Sequence, residues 1–476
     1  MGFGAAIGFE NTAALVLLCV ALIAAIALIV FSSSGYASAN RPRALVGADA
    51  GIHIPASSDE TVEPNDPIRR ALFAGTVLTM FIVAADAQGY TLGRPSSARY
   101  LLLGVPVFVL LCGAAVSAGR SRLAKTTVPD RFLLAYGLCG LFGSIFGRAF
   151  LHTPDSGTVI FLPMCLGLAH LMVRDPMTAG EAEGFQRWLV RVGVVFLVFG
   201  ILSQTPLWPL VAPRKSSFER TYFIAWALAA AWFARPRRKG AVALLVALSA
   251  VLFLQYPAAT WVIVTACGLT TAFATSRRGR QIGGLVLLVF AIGLLGVGFA
   301  QVQGGGSSVA KSYFSSVGKT DNTRARTQLW KAAEIEIRKS PWVGSLWTGN
   351  FTVENRNRAI TIFAASAHIE PHNDYLEALV LGGFLGLFLF GGIIISTNIV
   401  VLRRVRQLSD AGAVAQRDLA RVLLIGLNAA FAAAAFNPEL SKPGTTAVVF
   451  LVYAVTMTIR PTGAQAPVGD APLALS

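Results

Sequence analysis

Long apolar runs alternate with short polar segments along most of the chain. Because a bilayer core about 30 Å thick requires about 20 residues of apolar α-helix, runs of this length predict transmembrane helices. The pattern predicts an all-α polytopic membrane protein with about 12–13 transmembrane helices. The runs lie near residues 12–31, 71–88, 100–118, 132–150, 157–173, 188–206, 220–234, 240–254, 257–275, 281–300, 376–401, 420–436 and 445–459.

Short basic clusters between the runs predict the orientation of the helices, because Lys and Arg accumulate in cytoplasmic loops. The clusters lie at 120–131, 235–239, 277–280 and 403–421. Counting the runs between them places all of the clusters on one side, the cytoplasm. The segments 207–219, 301–371 and 437–444 then face the opposite side.

This pattern divides the chain into consecutive segments. They are an N-terminal transmembrane helix at 1–31, a cytoplasmic linker at 32–70, a membrane helix bundle at 71–300, a large extracytoplasmic loop at 301–375, C-terminal membrane helices at 376–460 and a disordered cytoplasmic tail at 461–476. The first run lacks a basic flank and is about 20 residues long, which favours a retained helix over a cleaved signal peptide.

Composition supports an integral membrane protein. The chain has 476 residues, of which 54% are hydrophobic and 13% are charged, and its mean hydropathy is +0.62. The net charge of +16 lies in the cytoplasmic clusters, so it predicts no nucleic-acid partner. The five cysteines lie within apolar runs and form no CxxC pair, so neither disulfides nor a zinc site are predicted.

The loop at 301–375 is predicted to be partly folded. After a flexible start rich in glycine and serine, apolar residues recur at helical spacing from Arg326 to Lys339. Pro341 ends this helix, and Pro341–Gly344 forms a turn.

An ionisable cluster follows where this loop meets the next apolar run, at His372, Asn373, Asp374 and Glu377. Such side chains are costly at a bilayer boundary and often functional. No chain of Asp, Glu and His crosses the other runs, which weighs against a proton-coupled transporter. His368 lies four residues before His372, but no carboxylate or Cys completes a metal site with this pair at helical spacing, so no metal is predicted.

The loop and the run that follows it contain four motifs in a fixed order. They are Arg326-x-x-x-Trp330, Pro341-x-x-Gly344, His372-Asn373-x-x-Leu376-Glu377 and Gly383-x-x-Gly386. This set, within residues 320–390, resembles the O-antigen ligase and polymerase superfamily. The resemblance implies a GT-C-like bundle in the bacterial inner membrane with its active site facing the periplasm. It also implies an inverting transfer of glycan from undecaprenyl pyrophosphate to a sugar hydroxyl, without cofactor, nucleotide or metal.

The resemblance assigns the main chemical roles. His372 is the expected general base, since a sugar hydroxyl is a poor nucleophile and His titrates near neutral pH. Arg326 is expected to bind the leaving pyrophosphate, because the guanidinium fork matches phosphate oxygens. A second Arg is expected from the other external loop. Arg220 is favoured over Arg214 because it begins a helix, although that loop departs from the usual family pattern.

Further residues have two possible roles each. Asn373 and Asp374 either contact the acceptor or cap the following helix, and capping is favoured. Glu377 either orients His372 or is structural. Trp330 is placed with the acceptor-binding or orienting residues by its motif position. Gly382 and Gly386 are assigned to close helix packing.

The acceptor distinguishes the activities within the superfamily. A ligase transfers the finished glycan to lipid A-core, whereas a polymerase transfers the growing chain to a new lipid-linked repeat unit, and a third relative transfers glycan to protein hydroxyls. We favour the ligase, with the polymerase as the alternative. The rival from another class is a transporter of lipid-linked oligosaccharide.

Overall fold

The computed structural model describes most of the C-terminal part of the chain and several helices before it. The described residues are 67–87, 126–146, 158–173, 175–202, 222–234, 333–347, 373–435 and 443–461, together with 266, 267, 270 and 274. The long helices are α1 Pro67–Ala87, α2 Val128–Phe146, α3 Thr158–Gly167, α4 Ala179–Leu202, α5 Tyr222–Phe233, α6 Asp374–Asp410, α7 Val414–Ala434 and α8 Pro443–Thr458. All regular structure in these residues is helical, which confirms the all-α prediction.

Two shorter elements complete the described chain. A 3-10 helix, Leu168–Met172, continues directly from α3. A short helix at 333–339, which we call the loop helix, ends before Pro341 as the sequence predicts. The predicted part of that helix before residue 333 lies outside the described residues.

The predicted apolar runs coincide with helices wherever the structure describes them, and α1 begins at Pro67, within the predicted linker. In the described part of the chain, α6 is the one helix that is long enough and apolar enough to cross a membrane by length and composition. The other runs and the two terminal segments lie outside the described residues, apart from isolated positions. The number of transmembrane helices therefore stays a prediction.

The core forms around α7, which packs against α4, α5, α6 and α8. Val422, Leu423, Leu424 and Ile425 are consecutive and so point to different sides of α7, and all of them are buried. A helix that is apolar on every side is stable only when neighbours surround it.

Ionisable side chains gather at one end of the bundle, which we call the Arg404 end. Its members are Arg69, Asp130, His170, Glu181, Arg404 and Arg460. The Arg69 Nε donates to Glu181 Oε1 at 2.8 Å, which joins α1 to α4. The hydroxyl of Tyr453 donates to Asp130 Oδ1 at 2.7 Å, which joins α8 to α2.

The α6 helix folds back on itself at Gly383. This residue has φ 58° and ψ −157°, a conformation that is essentially restricted to glycine. The ring centroids of Tyr375 and Phe390 lie 5.1 Å apart, whereas a straight helix would separate these positions by about 22 Å. The residues 374–382, the short arm, and 384–410, the long arm, therefore form an antiparallel hairpin.

The reversal is a feature that the apolar pattern does not reveal. The run 376–401 is helical as predicted, but both arms of the hairpin are apolar and helical, so periodicity continues through the apex. A Cβ placed on Gly386 would lie 2.5 Å from the carbonyl oxygen of Ala378. Glycine at this position lets the arms approach closely.

Candidate functional site

The turn at 341–347, which we call the apex turn, caps the start of the long arm. The first N–H groups of a helix have no partner within the helix. The Phe384 N donates to Pro341 O at 2.8 Å. The Leu385 N donates to Trp342 O at 3.0 Å. Carbonyl groups from the apex turn thus replace the helical bonds that the reversal removes.

The apex turn also caps the end of the short arm, where the last carbonyl groups lack helical partners. The Ser345 N donates to Val380 O at 3.3 Å. The Trp347 N donates to Leu381 O at 3.1 Å. The apex turn therefore supplies hydrogen-bond partners to the helix ends on both sides of Gly383, and it fixes the loop helix to the hairpin.

Trp347 is buried in a space that glycines leave open, with 1% of its surface exposed. A Cβ on Gly382 would lie 2.5 Å from Trp347 Cη2, and one on Gly386 would lie 3.2 Å from Cζ2. From α2, a Cβ on Gly143 would lie 2.8 Å from the Cβ of Trp347. The indole also meets the Tyr136 ring edge-on, with centroids 5.8 Å apart.

The backbone of the apex turn is strained. Leu346 has φ 52° and Trp347 has φ 57°, although residues with a Cβ rarely adopt positive φ. Each such residue costs about 1–3 kcal/mol and persists when its surroundings impose the conformation. Here the hydrogen bonds to the short arm and the burial of the indole impose it.

Asn373 caps the short arm, as the sequence analysis favours. Its side-chain oxygen accepts from Tyr375 N at 3.0 Å and from Leu376 N at 3.1 Å. Its φ of −161° and ψ of 110° are the extended values typical of an N-cap.

Two carboxylates lie in the first turn of the short arm. Asp374 is buried, with 6% exposure, and Glu377 follows it. Negative charge is favourable at a helix N-terminus because the backbone N–H groups there carry partial positive charge.

An aromatic series connects the apex turn to the start of the short arm. From Trp347 the contacts lead to Tyr136, and the Tyr136 ring lies 6.0 Å from Phe390 on the long arm. Phe390 in turn packs edge-on against Tyr375 at 5.1 Å. The Tyr375 hydroxyl donates to Phe431 O at 2.9 Å, which ties the first turn to α7.

A cavity of about 340 Å³ opens beside this first turn. Its lining is mainly apolar and consists of Ala266, Thr270, Tyr375, Ile394, Asn398, Leu402, Asn428, Phe431 and Ala432. The polar side chains bond to one another: Asn398 Nδ2 donates to Asn428 Oδ1 at 2.9 Å. Asn428 Nδ2 donates to Thr270 Oγ1 at 2.8 Å. The cavity therefore offers a hydrocarbon-like surface.

The predicted reacting and phosphate-binding residues lie outside the described residues, so their roles stay predictions. They are His372, Arg326, Trp330, Arg214 and Arg220. His372 directly precedes the cap residue Asn373 in the chain, so its backbone is covalently tied to the capped helix start. Among the described residues, no group of three His, Cys, Asp or Glu side chains is placed to hold a metal.

Comparison with known families identifies the segment that contains this hairpin. Residues 223–391 match the family model described as O-Antigen ligase. This match supports an O-antigen ligase and polymerase superfamily domain at these residues. No curated protein matches the chain.

The O-antigen ligase domain includes most of α5, the loop helix, the apex turn, the short arm and the first part of the long arm. The family consists of membrane-embedded glycosyltransferases, both ligases and polymerases, that act on lipid-linked glycans and acceptors. The predicted resemblance is therefore confirmed at the level of the superfamily.

Trp347 is the main site residue that the sequence analysis missed. Its partners Gly143, Tyr136 and Gly382 are distant in sequence, so spacing cannot reveal the contact. The available signal is a large aromatic residue three positions after a Pro-x-x-Gly turn, together with Gly382 and Gly386 four positions apart in the sequence.

Proposed function

We propose that this protein is an O-antigen ligase of the bacterial inner membrane. It transfers glycan from undecaprenyl pyrophosphate to a sugar hydroxyl of lipid A-core. The observation that carries the proposal is the family match over residues 223–391, which contains both the capped helix start after His372 and the turn that packs against its hairpin.

The long arm supports a membrane-crossing orientation. No charged residue lies between Gly383 and Arg403, which is about 30 Å along a helix and matches the hydrocarbon thickness of a bilayer. Basic residues mark the Arg404 end as cytoplasmic, so the apex turn faces the periplasm. The start of the short arm lies about 13 Å back from the apex, at the level of the outer leaflet.

In the proposed reaction, His372 removes the proton from the acceptor hydroxyl. The resulting oxygen nucleophile attacks the anomeric carbon of the donor, and the bond from that carbon to the pyrophosphate oxygen breaks. Undecaprenyl pyrophosphate leaves with the bonding electrons, and the configuration inverts. Arg326 and a second Arg, at 220 or 214, neutralise the leaving charge.

The described residues have supporting roles in this proposal. Asn373 holds the helix start that follows His372, through its two bonds to backbone N–H groups. Glu377, in the first turn, orients the His372 imidazole. The apolar cavity beside Tyr375 accommodates part of the isoprenoid chain.

Purified protein in defined lipid, given a lipid-linked glycan donor and lipid A-core without nucleotide or added metal, tests the proposal. We expect the wild type to form glycosylated lipid A-core. His372→Ala and Arg326→Ala should lower kcat/KM at least about 100-fold, as expected for loss of a general base or a charge-stabilising group. Arg338→Ala is the matched control, because Arg338 is 77% exposed and its ion-pair partner in the described part of the chain is Glu334, one helical turn away.

The outcomes separate ligase, polymerase and transporter. Transfer to lipid A-core supports the ligase, and a deletion strain should then keep long chains on the carrier lipid. Extension of a lipid-linked repeat unit instead, with single-repeat products in the deletion strain, assigns the polymerase. A verified substrate pair that gives no transfer, with glycan movement intact in His372→Ala, contradicts an enzyme and favours the transporter.

A further inference from the structure

We propose that Trp347 is a positioning residue of the transfer reaction. It holds the short arm of the α6 hairpin, and with it Asn373 and the adjoining His372, in register with the loop helix. This inference rests on the proposed function and extends it to a residue outside the predicted catalytic and phosphate-binding set.

Glycines of two helices leave a space that the indole of Trp347 fills. Trp347 is 1% exposed and fills a volume that Gly382 and Gly386 of α6 and Gly143 of α2 leave open. A side chain on any of these glycines would collide with Trp347 or its neighbours, or crowd them closely. Two elements of the bundle thus form a socket for one residue of the loop.

The backbone that presents the indole has an unfavourable conformation. Leu346 and Trp347 both have positive φ, which is unfavourable for residues with a Cβ and persists where the surroundings impose it. The bond from Trp347 N to Leu381 O, 3.1 Å long, fixes this conformation directly against the short arm.

Packed aromatic rings connect Trp347 to the helix start that Asn373 caps. Edge-on and tilted ring contacts lead from Trp347 through Tyr136 and Phe390 to Tyr375, at centroid distances of 5.8, 6.0 and 5.1 Å. Tyr375 N is one of the two N–H groups that Asn373 caps. The indole therefore supports the first turn of the short arm by continuous packing.

This arrangement has a catalytic consequence. Arg326 is predicted on the same helix as residues 333–339, whereas His372 adjoins the short arm. The apex turn is therefore the described connection between the element predicted to bind pyrophosphate and the element predicted to carry the base. A misplacement of reacting groups by about 1 Å can lower a rate about 100-fold.

Substitutions of the two tryptophans in the apex turn provide a matched test. Trp347→Ala should lower kcat about 10–100-fold, with Trp347→Phe intermediate because it retains a ring in the socket. The KM values for donor and acceptor should change less than about threefold, since a positioning loss affects the reaction step more than binding. Trp342→Ala, at a side chain that is 73% exposed, should keep the wild-type kcat.

A double-mutant cycle tests whether the socket acts through the indole. Gly382→Ala alone should lower kcat, because its Cβ would lie 2.5 Å from the Trp347 ring. In the Trp347→Ala background the same change should have little further effect, since the colliding ring is gone. Fully additive effects of the two substitutions on kcat would contradict the proposal that the socket acts through Trp347.

Amide hydrogen exchange gives a readout that does not depend on transfer. Loss of the Trp347 indole in Trp347→Ala should speed exchange at Phe384 and Leu385, whose N–H groups bond to the apex turn. Trp342→Ala should leave this exchange unchanged. Folded Trp347→Ala protein with wild-type kcat would overturn the proposal, as would a loss of activity that only follows the loss of folded protein. If the variants show this exchange pattern but the wild-type protein shows no glycan transfer, the proposed function is refuted instead.

Discussion

At the scale of single residues, a structural role and a chemical role of Asn373 can be tested separately. Its side-chain oxygen caps two backbone N–H groups, and Asn→Ala at such a site costs about 1 kcal/mol of stability. We expect Asn373→Ala to lower the free energy of unfolding by this amount. Asn373→Asp should remain stable, because a carboxylate also caps a helix and favours its N-terminus. Thermal unfolding in detergent measures both.

The transfer activity of Asn373→Asp then tests whether Asn373 also contacts a substrate. This variant retains the cap but lacks the amide N–H₂ donor. If Asn373 only caps, transfer should stay within about threefold of wild type, since the helix start is preserved. A stable Asn373→Asp variant whose activity falls 100-fold would show that the amide also contacts a substrate.

Sequence reasoning works well for residues whose partners are local. Asn373 before an apolar helical run predicts a cap, and the structure confirms it. Trp347 is different, because its environment comes from α2 and from the hairpin apex. Its role follows only from the folded arrangement, in which distant glycines converge.

At the scale of elements, the α6 hairpin depends on one backbone conformation. Gly383→Ala would force a Cβ into a glycine-only region, 2.5 Å from Trp342 O. Strain and crowding together should cost about 2–4 kcal/mol. We expect lower thermal stability and faster exchange of the N–H groups in the apex turn, measured on purified protein.

Gly391→Ala is the matched control on the same helix. Among the residues that the structure describes, a Cβ on Gly391 would meet nothing within 4 Å, and alanine favours a helix over glycine by about 0.5–1 kcal/mol. This variant should therefore be as stable as wild type or slightly more stable. Equal destabilisation by both substitutions would mean that the reversal at Gly383 is not what makes glycine necessary there.

The elements themselves were largely predictable, whereas the hairpin was not. The apolar runs at α1, α2, α4, α5, α7 and α8 are helical, as predicted. Length and apolar content are sufficient to predict a helix for runs of this kind. The reversal inside α6 requires hydrogen bonds from residues 341–347. A pattern read along one segment contains no information about donors supplied by another.

At the scale of the whole molecule, the cluster of ionisable side chains and the apex turn lie at opposite ends of the bundle. Partly buried ion pairs such as Arg69 with Glu181 lie at the Arg404 end, and the apex turn lies at the other. An uncharged stretch from Gly383 to Arg403 separates them by about 30 Å. This division supports opposite aqueous compartments for the two ends.

Cysteine labelling in cells with a permeable outer membrane tests this topology. In a background with all five native cysteines replaced, Glu334→Cys and Ser409→Cys place thiols at opposite ends of the bundle. Glu334 is 58% exposed on the loop helix, and Ser409 is exposed near the end of α6. A membrane-impermeant maleimide should label Glu334→Cys in intact inner membranes. It should label Ser409→Cys only after the inner membrane is opened, because the basic end is predicted to be cytoplasmic. The reverse pattern would invert the topology and place the proposed site away from the periplasmic donor.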